Sequence, residues 1–149
     1  MHVRKTIADW RDRRRALAGQ SIGFVPTMGA LHRGHASLVE RCRRENQVVV
    51  VSIFVNPSQF NDPKDLDRYP RTLDRDLRLL EEVGADEVIM PSAAEMYPNG
   101  YCYRVEPESD DEVLEGAFRP GFLVNAVQLA IELGQRRRRR GCAIELSIL

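Results

Sequence analysis

The sequence predicts an α/β protein built on a doubly wound parallel sheet. Over residues 1–91, amphipathic segments alternate with short apolar segments in the order α-β-α-β-α-β. Residues 48–55 form a nearly uninterrupted β-branched run, which is typical of a strand covered on both faces. Because parallel strands need crossover connections, these two observations favour helices on both sides of one sheet.

The first two predicted elements are a helix over residues 3–18 and a strand over residues 21–25. The helix is followed by Gly19, which supplies a stop, and the strand is ended by Pro26. The helix has a stripe of residues at spacings of three or four, made of Val3, Ile7, Trp10, Arg14 and Leu17. A turn rich in small residues then leads to a second helix over residues 34–45, with Leu38, Val39 and Cys42 facing inward.

The second predicted strand, residues 47–55, is followed by a long loop over residues 56–70 that is rich in Pro, Asp and Asn. A third helix follows, with Thr72 as its N-cap and Gly84 as its end. Its apolar stripe consists of Leu73, Leu77, Leu80 and Val83. Residues 86–91 form the third strand. Weaker patterns predict a strand over residues 101–105, a helical turn over 110–115 and a helix over 121–133.

Length and composition restrict the class of protein. The chain has 149 residues, 43% of them hydrophobic, and 22 basic side chains balance 22 acidic ones. These values suit one compact domain and argue against a disordered chain or a dedicated nucleic-acid binder. No stretch approaches the ~20 apolar residues that span a bilayer, and no secretory signal is visible. Three widely spaced cysteines favour a reducing cytoplasm, so we expect a cytoplasmic protein without a membrane partner.

The strongest chemical signal follows the first predicted strand. His32 and His35 lie three residues apart at the start of the second helix, where open α/β sheets bind ligands. The free N–H groups of a helix N-terminus attract phosphate, and Gly29 and Gly34 would let it approach the backbone. Imidazole donors there can stabilise charge that develops on a phosphoryl group. The alternative is structural: His32 caps a turn and His35 fills a polar surface.

Several long segments together resemble one enzyme family. They are residues 26–35 (PTMGALHRGH), 50–60 (VVSIFVNPSQF), 65–72 (DLDRYPRT), 97–100 (YPNG) and 114–121 (LEGAFRPG). In this order they strongly resemble pantothenate synthetases, the ATP-dependent pantoate–β-alanine ligases, over roughly residues 1–133. The resemblance implies a Rossmann-like domain of the H-x-G-H nucleotidyltransferase type. It also implies a two-step reaction, in which MgATP adenylylates the pantoate carboxylate and the amine of β-alanine then displaces AMP.

The resemblance also implies roles for individual residues. His32 and His35 match the histidines that contact the ATP phosphates, and His35 matches the one designated catalytic. The whole ATP-binding stretch comprises Met28, Gly29, Ala30, Leu31, His32, Arg33, Gly34 and His35. Gln59 matches the glutamine that hydrogen-bonds pantoate beside the β-alanine site, with Asn56, Phe60, Thr27 and Met28 around it. The alternative for Gln59 and Asn56 is a loop cap after a buried strand. Mg²⁺ is expected on the ATP phosphates, with no protein ligand of its own.

Some features depart from the family pattern. Residues 119–123 read RPGFL where family members normally have RPGHF, so Phe122 replaces a histidine. The Lys-Asp-x-x-Gln and Ser-Ser-Arg-Asn segments and the C-terminal lid domain do not appear. Instead, residues 134–149 form a separate tail with five consecutive arginines. We therefore expect very low turnover from this chain alone, since phosphate clamps and lids supply much of the rate.

Three alternatives stay open at this stage. The chain could be another H-x-G-H adenylyl- or cytidylyltransferase. It could be a non-catalytic nucleotide-binding or dimerising remnant, because the family's enzymes are usually homodimers and residues 105–133 could still self-associate. Finally, the five arginines could contact nucleic acid or an acidic membrane, although a solvated tail fits their composition better because no aromatic residues are interleaved.

Overall fold

The computed structural model describes residues 1–60 and 62–97. Within them, the chain forms four strands, five α-helices and one 3₁₀ turn. The elements are β1 (His2–Arg4), α1 (Ile7–Ala16), β2 (Ile22–Thr27), α2 (Arg33–Glu45), β3 (Val48–Ile53), a 3₁₀ turn (Pro57–Gln59), α3 (Pro63–Arg68), α4 (Leu73–Glu82), β4 (Glu87–Ile89) and α5 (Ala93–Met96). The three predicted strands and the helices between them are all present, so the predicted α/β class is confirmed.

The strands form one parallel sheet with the order β1-β4-β3-β2. β3 lies inside the sheet, where it pairs with β2 from Ile22↔Val48 to Thr27↔Ile53 and with β4 from Val50↔Glu87 to Ser52↔Ile89. Because every pair is parallel, the carboxyl ends of all four strands meet at the same edge. The turn after β2 and the segment after β3 therefore begin side by side.

The sheet is covered on both faces, as the valine run of β3 predicts. Val48 and Val50 belong to one core cluster with Trp10 and Leu17, which lie in and just after α1. The alternate residues of β3, Val49 and Val51, belong to the other cluster. Its further members include Val39 and Cys42 of α2 and Leu80 of α4. Since side chains alternate along a strand, α1 packs on one face while α2 and α4 pack on the other.

The start of the chain differs from the prediction. Residues 2–4 form β1 beside β4, and the helix begins only at Ile7, after the N-cap Thr6 accepts a hydrogen bond from the backbone N–H of Asp9 at 3.1 Å. The predicted helix over residues 3–18 was therefore wrong at its first turn. Val3 fits the helical spacing only by coincidence. A strand of three residues is too short to show a periodicity of its own, and residues 2–4 are extended because they pair with β4.

Two further boundaries also differ. The strand predicted to end at Pro26 continues to Thr27, because β2 lies at an edge of the described sheet, where a residue without an N–H is tolerated. The predicted loop over residues 56–70 contains the 3₁₀ turn and α3. Both begin with a proline behind a side-chain cap, Asn56 before Pro57 and Asp62 before Pro63.

Several predictions lie outside the described residues. They are the strand over 101–105, the helical turn over 110–115, the helix over 121–133 and the tail over 134–149. Among the residues that the structure describes, no helix is both long and apolar enough to cross a membrane.

Candidate functional site

The site begins where β2 ends, and Thr27 joins this end to β3. Its buried hydroxyl donates to the carbonyl of Ser52 at 2.7 Å and accepts from the N–H of Gly29 at 3.3 Å. Its carbonyl accepts from the N–H of Phe54 at 3.0 Å. These bonds hold the end of β2 against β3 and against the turn that follows.

The turn that follows has an unusual backbone. Gly29 and Ala30 both have positive φ angles, 83° and 51°. The N–H groups of Ala30 and Leu31 donate to the two carboxylate oxygens of Asp76 in α4, each at 2.9 Å. A Cβ on Gly29 would lie 3.2 Å from Asp76 Oδ2 and 3.2 Å from the Ile53 side chain. Gly29 is therefore required by its φ angle and by close packing against protein groups.

The two histidines form a reciprocal cap at the start of α2. His32 is the N-cap residue, and its Nδ1 accepts from the N–H of Gly34 at 3.1 Å. The Nδ1 of His35 accepts in turn from the N–H of His32 at 3.4 Å. The rings lie 4.1 Å apart between centroids, at an angle of 49°. Both residues lie at the start of the second helix, as the sequence predicted, and His32 makes the cap that the structural alternative described.

This arrangement determines which nitrogen of each imidazole is available. An Nδ1 that accepts from a backbone N–H carries no proton, so the neutral ring bears its hydrogen on Nε2. Burial, followed by the neighbouring His32, lowers the pKa of His35, and the Asp76 carboxylate partly opposes this shift. His35 is therefore held neutral at physiological pH. Each ring offers one Nε2–H donor that is not used in capping.

The other residues of the turn surround this pair. Gly34 lies beneath His32, since a Cβ there would be 2.9 Å from His32 Cε1 and 3.0 Å from its Nδ1. Arg33 is exposed and is the first residue of α2, while Met28 is half-buried. The first turn of α2 has no acidic residue. The positive end of the helix dipole therefore favours an anion at this position.

The second group of predicted residues follows β3. Asn56 is 1% exposed, and its Oδ1 accepts from Ser58 N at 3.2 Å, Ser58 Oγ at 2.9 Å and the Tyr97 hydroxyl at 3.1 Å. Asn56 thus caps the 3₁₀ turn, as the loop-cap alternative described. Gln59 ends that turn and is half-buried.

An aromatic contact connects this second group to the histidine turn. The Phe60 and Tyr69 rings pack edge to face with centroids 5.5 Å apart, and the Tyr69 hydroxyl lies 3.5 Å from the carbonyl of Gly29. Phe60 therefore reaches the turn after β2 through Tyr69. The structure thus brings both predicted groups to one edge of the sheet.

Sequence reasoning did not assign Asp76 or Tyr69 to the site. A signal for Asp76 was present, because it lies on the apolar stripe of α4, three residues after Leu73 and four before Leu80. A charged residue on a buried helix face needs partners, and here they are backbone N–H groups of another element. Thr72 was predicted to cap α4, yet its hydroxyl makes no cap bond and instead donates to Asp76 Oδ1 at 3.1 Å.

Within residues 1–60 and 62–97, no three or more His, Cys, Asp or Glu side chains cluster in a way that could hold a metal ion.

Comparison with known proteins identifies the family of this chain. The sequence profile of the family Pantoate-beta-alanine ligase matches residues 2–134. The chain belongs to the pantoate-beta-alanine ligase family. It is 52% identical over 135 residues to the pantothenate synthetase of Bacteroides thetaiotaomicron, and 53% identical over 130 residues to that of Thermus thermophilus. These alignments cover 89% and 87% of this chain, but only 48% and 47% of the relatives.

Solved structures give the same result for the fold. A crystal structure of pantoate-beta-alanine ligase from Francisella tularensis, complexed with beta-gamma ATP and beta-alanine, matches with a TM-score of 0.80 and 42% identity. That match covers 89% of this chain and 52% of the Francisella chain. The Thermus thermophilus enzyme matches with a TM-score of 0.76 and 48% identity. The chain thus has the Rossmann-like fold of this ligase family and spans about half the length of the relatives it matches.

Proposed function

We propose that this chain supplies the nucleotide-binding part of an ATP-dependent pantoate–β-alanine ligase. The observation that carries the proposal is the reciprocal cap of His32 and His35 at the start of α2. It leaves two Nε2–H donors beside a helix N-terminus, in a chain of this ligase family. Such donors suit the phosphates of ATP better than a neutral ligand, because hydrogen bonds to charged groups are stronger.

His32 and His35 would act on the α-phosphate as adenylyl transfer proceeds. Attack by the pantoate carboxylate gives pantoyl adenylate and pyrophosphate, and negative charge builds on the phosphoryl oxygens in between. Neutral imidazoles that donate from Nε2 would stabilise that charge. Their positions are fixed by the Nδ1 bonds, so little reorganisation is needed during the reaction. The amine of β-alanine would then attack the adenylate carbonyl and release AMP.

Pantoate and β-alanine would bind next to the phosphates, at the carboxyl end of β3. Gln59 is proposed to hold pantoate by hydrogen bonds from its neutral amide, which leaves the carboxylate nucleophilic. Asn56 would act by fixing the 3₁₀ turn that carries Gln59, since its Oδ1 already accepts three hydrogen bonds. Phe60, Thr27 and Met28 would complete the wall, with Phe60 connected to the nucleotide turn through Tyr69.

Mg²⁺ would enter with ATP, bound mainly to the phosphate oxygens, and would supply charge neutralisation there. Arg33 at the first position of α2 adds a positive charge near the same phosphates. Met28 to Leu31 would shape the pocket through the left-handed backbone at Gly29 and Ala30.

Two further properties belong to this proposal. We expect a homodimer, by analogy with the assembly that is usual in this family. We also expect the protein to work in the reducing cytoplasm, where the Cys42 thiol stays reduced. Cys42 is buried, and its burial raises the pKa of the thiol, which keeps it unreactive.

Calorimetric titration of the 149-residue chain with ATP tests the proposal. We expect saturable ATP binding, and an H32A/H35A variant should bind at least about tenfold more weakly, since each hydrogen bond to a charged group contributes about 1.5–3 kcal/mol. The control is His2→Ala, which changes the one other histidine, an exposed residue of β1. Pantoate should bind to the ATP-loaded chain, whereas acceptors of other nucleotidyltransferases should not. Equal ATP binding by all three proteins would contradict the proposal.

A further inference from the structure

We propose that Asp76 is a positioning residue that builds the ATP-phosphate site from a neighbouring helix. This inference rests on the proposed function, because it concerns the turn that would hold the phosphates. We call this turn, residues 28–35, the cradle loop. Asp76 belongs to α4, and 40 residues separate it from the end of the cradle loop at His35.

The geometry of Asp76 is that of a carboxylate dedicated to one backbone segment. The residue is 1% exposed. One carboxylate oxygen accepts from Ala30 N and the other from Leu31 N, each at 2.9 Å. The hydroxyl of Thr72 donates to the second oxygen at 3.1 Å and so orients the carboxylate from its own helix. A buried carboxylate is costly unless it is hydrogen-bonded, and these three bonds offset that cost.

Asp76 also explains the conformation of the cradle loop. Ala30 has a φ of 51°, which is uncommon for a residue with a side chain and persists where its surroundings enforce it. Both N–H groups that follow the preceding glycine are aimed at Asp76, and the N–H of Gly29 is aimed at Thr27 Oγ1. Three consecutive N–H groups therefore bond to protein oxygens and are not available to a ligand.

A second consequence is electrostatic. The negative charge of Asp76 acts on the imidazole of His35, where it raises the pKa against the lowering effects of burial and His32. Asp76 therefore fixes the position of the cradle loop and also moderates the protonation of one of its histidines. Replacement of Asp76 by asparagine distinguishes a positioning role from a purely space-filling one. Asparagine has nearly the same shape as aspartate but no charge. Its amide N–H₂ would face a backbone N–H that now donates to the carboxylate.

The test compares D76N with D74N, which makes the same chemical change two residues earlier on α4, at an exposed position. ATP affinity is measured by calorimetry, and the titration of each histidine is followed by NMR. For D76N we expect ATP affinity to fall at least tenfold and the His35 titration midpoint to move below that of the unmodified chain. For D74N we expect neither change. A third variant, T72V, keeps the carboxylate but removes its orienting hydroxyl, and should weaken ATP binding about threefold.

The two readouts separate the possible failures. If the unmodified chain binds no ATP, the proposed function fails, while the His35 titration still tests the position of Asp76. A folded D76N that binds ATP within twofold of the unmodified chain, with His35 unshifted, overturns the inference. If D76N does not fold, the test rests on T72V. ATP binding by T72V equal to that of the unmodified chain then overturns the inference.

Discussion

At the scale of single residues, the two ring nitrogens of His32 and of His35 have different roles. Nδ1 holds the backbone at the start of α2, and Nε2 carries the hydrogen that a phosphate would accept. Aspartate also caps helices at this position, but an ionised carboxylate has no hydrogen to donate. A histidine cap therefore combines helix initiation with anion binding, and the two contributions can be separated by substitution.

Replacement of His32 by asparagine or alanine separates these contributions. Asparagine can still accept a hydrogen bond from the first turn of α2, so the free energy of unfolding of H32N should lie within about 0.5 kcal/mol of that of the unmodified chain. For H32A the free energy of unfolding should fall by about 1 kcal/mol. Both variants should bind ATP more weakly, because neither presents an imidazole N–H. Urea unfolding and calorimetry measure the two effects. Full ATP affinity in H32N would contradict the assignment of the donor.

The lowered pKa of His35 predicts a pH dependence of stability. Since the folded chain favours the neutral ring more than the unfolded chain does, the unfolded chain binds more protons between the lowered value and about 6.5. The stabilisation is therefore fully present above pH 6.5 and is lost as the pH falls below it. Urea unfolding at pH 7.5 and pH 5.5 measures this loss.

The control for this effect is His35→Gln, which keeps a side-chain acceptor at the third position of the helix but does not titrate. The decrease in stability from pH 7.5 to pH 5.5 should be smaller in H35Q than in the unmodified chain. An equal decrease in both proteins would show that other groups cause the acid sensitivity.

At the scale of elements, the direction of α2 is fixed by its close approach to β2. A Cβ on Gly23 would lie 2.1 Å from Cys42 Sγ and 2.6 Å from Asn46 Nδ2, so the helix rests directly on the strand backbone. This contact is on the face that also holds Val39 and Val49. Because α2 begins with the histidine pair, the packing at Gly23 sets where its N-terminus points.

Gly23→Ala should therefore disturb α2 as a unit. We expect the free energy of unfolding to fall by about 1–3 kcal/mol, as for other overpacked cores. Adding Cys42→Ala removes the nearest clashing atom. The free energy of unfolding of the double variant should therefore fall by less than the sum of the decreases in the two single variants. Strictly additive losses would show that the two residues do not contact each other. Unfolding in urea measures all three variants.

Helices and strands were predicted correctly where the hydrophobic pattern of the segment itself determines its structure. The valines of β3 are buried on both faces, and the sequence showed an apolar run without alternation. β1 was not predicted, because its three residues have no distinctive pattern and depend on β4. The two histidines and Asn56 were predicted from the sequence as candidate site residues. Asp76 and Tyr69 were not, since their roles arise from contacts across 40 or more residues.

At the scale of the whole molecule, an ion cluster around a buried carboxylate ties the start of the chain to the sheet. Glu87 of β4 is completely buried and accepts from Arg4 Nε at 2.9 Å and from Arg13 Nε at 2.6 Å. Arg4 ends β1, and Arg13 lies in the last turn of α1. The cluster therefore joins three elements on one face of the sheet, and the Glu87 carboxylate raises the pKa of Arg4.

Removal of this carboxylate should destabilise the folded chain substantially. We expect Glu87→Ala to lower the free energy of unfolding by about 1.5–3 kcal/mol, because it removes two charge-assisted hydrogen bonds to Arg4 and Arg13. The control is Glu45→Ala, which breaks an exposed pair with Arg41 on α2 and should cost less than about 1 kcal/mol. Comparable losses in the two variants would show that the Glu87 cluster contributes no more than a surface ion pair.

The central claim is that His32 and His35 present Nε2–H donors to the phosphates of ATP. NMR of the ¹⁵N-labelled histidine rings tests it most directly, because it reports the protonated nitrogen of each ring and its response to a ligand. We predict the Nε2–H form for both rings and ATP-dependent shifts at His32 and His35, with His2 unchanged. Rings protonated on Nδ1, or an ATP titration that moves neither of the two, would contradict the account.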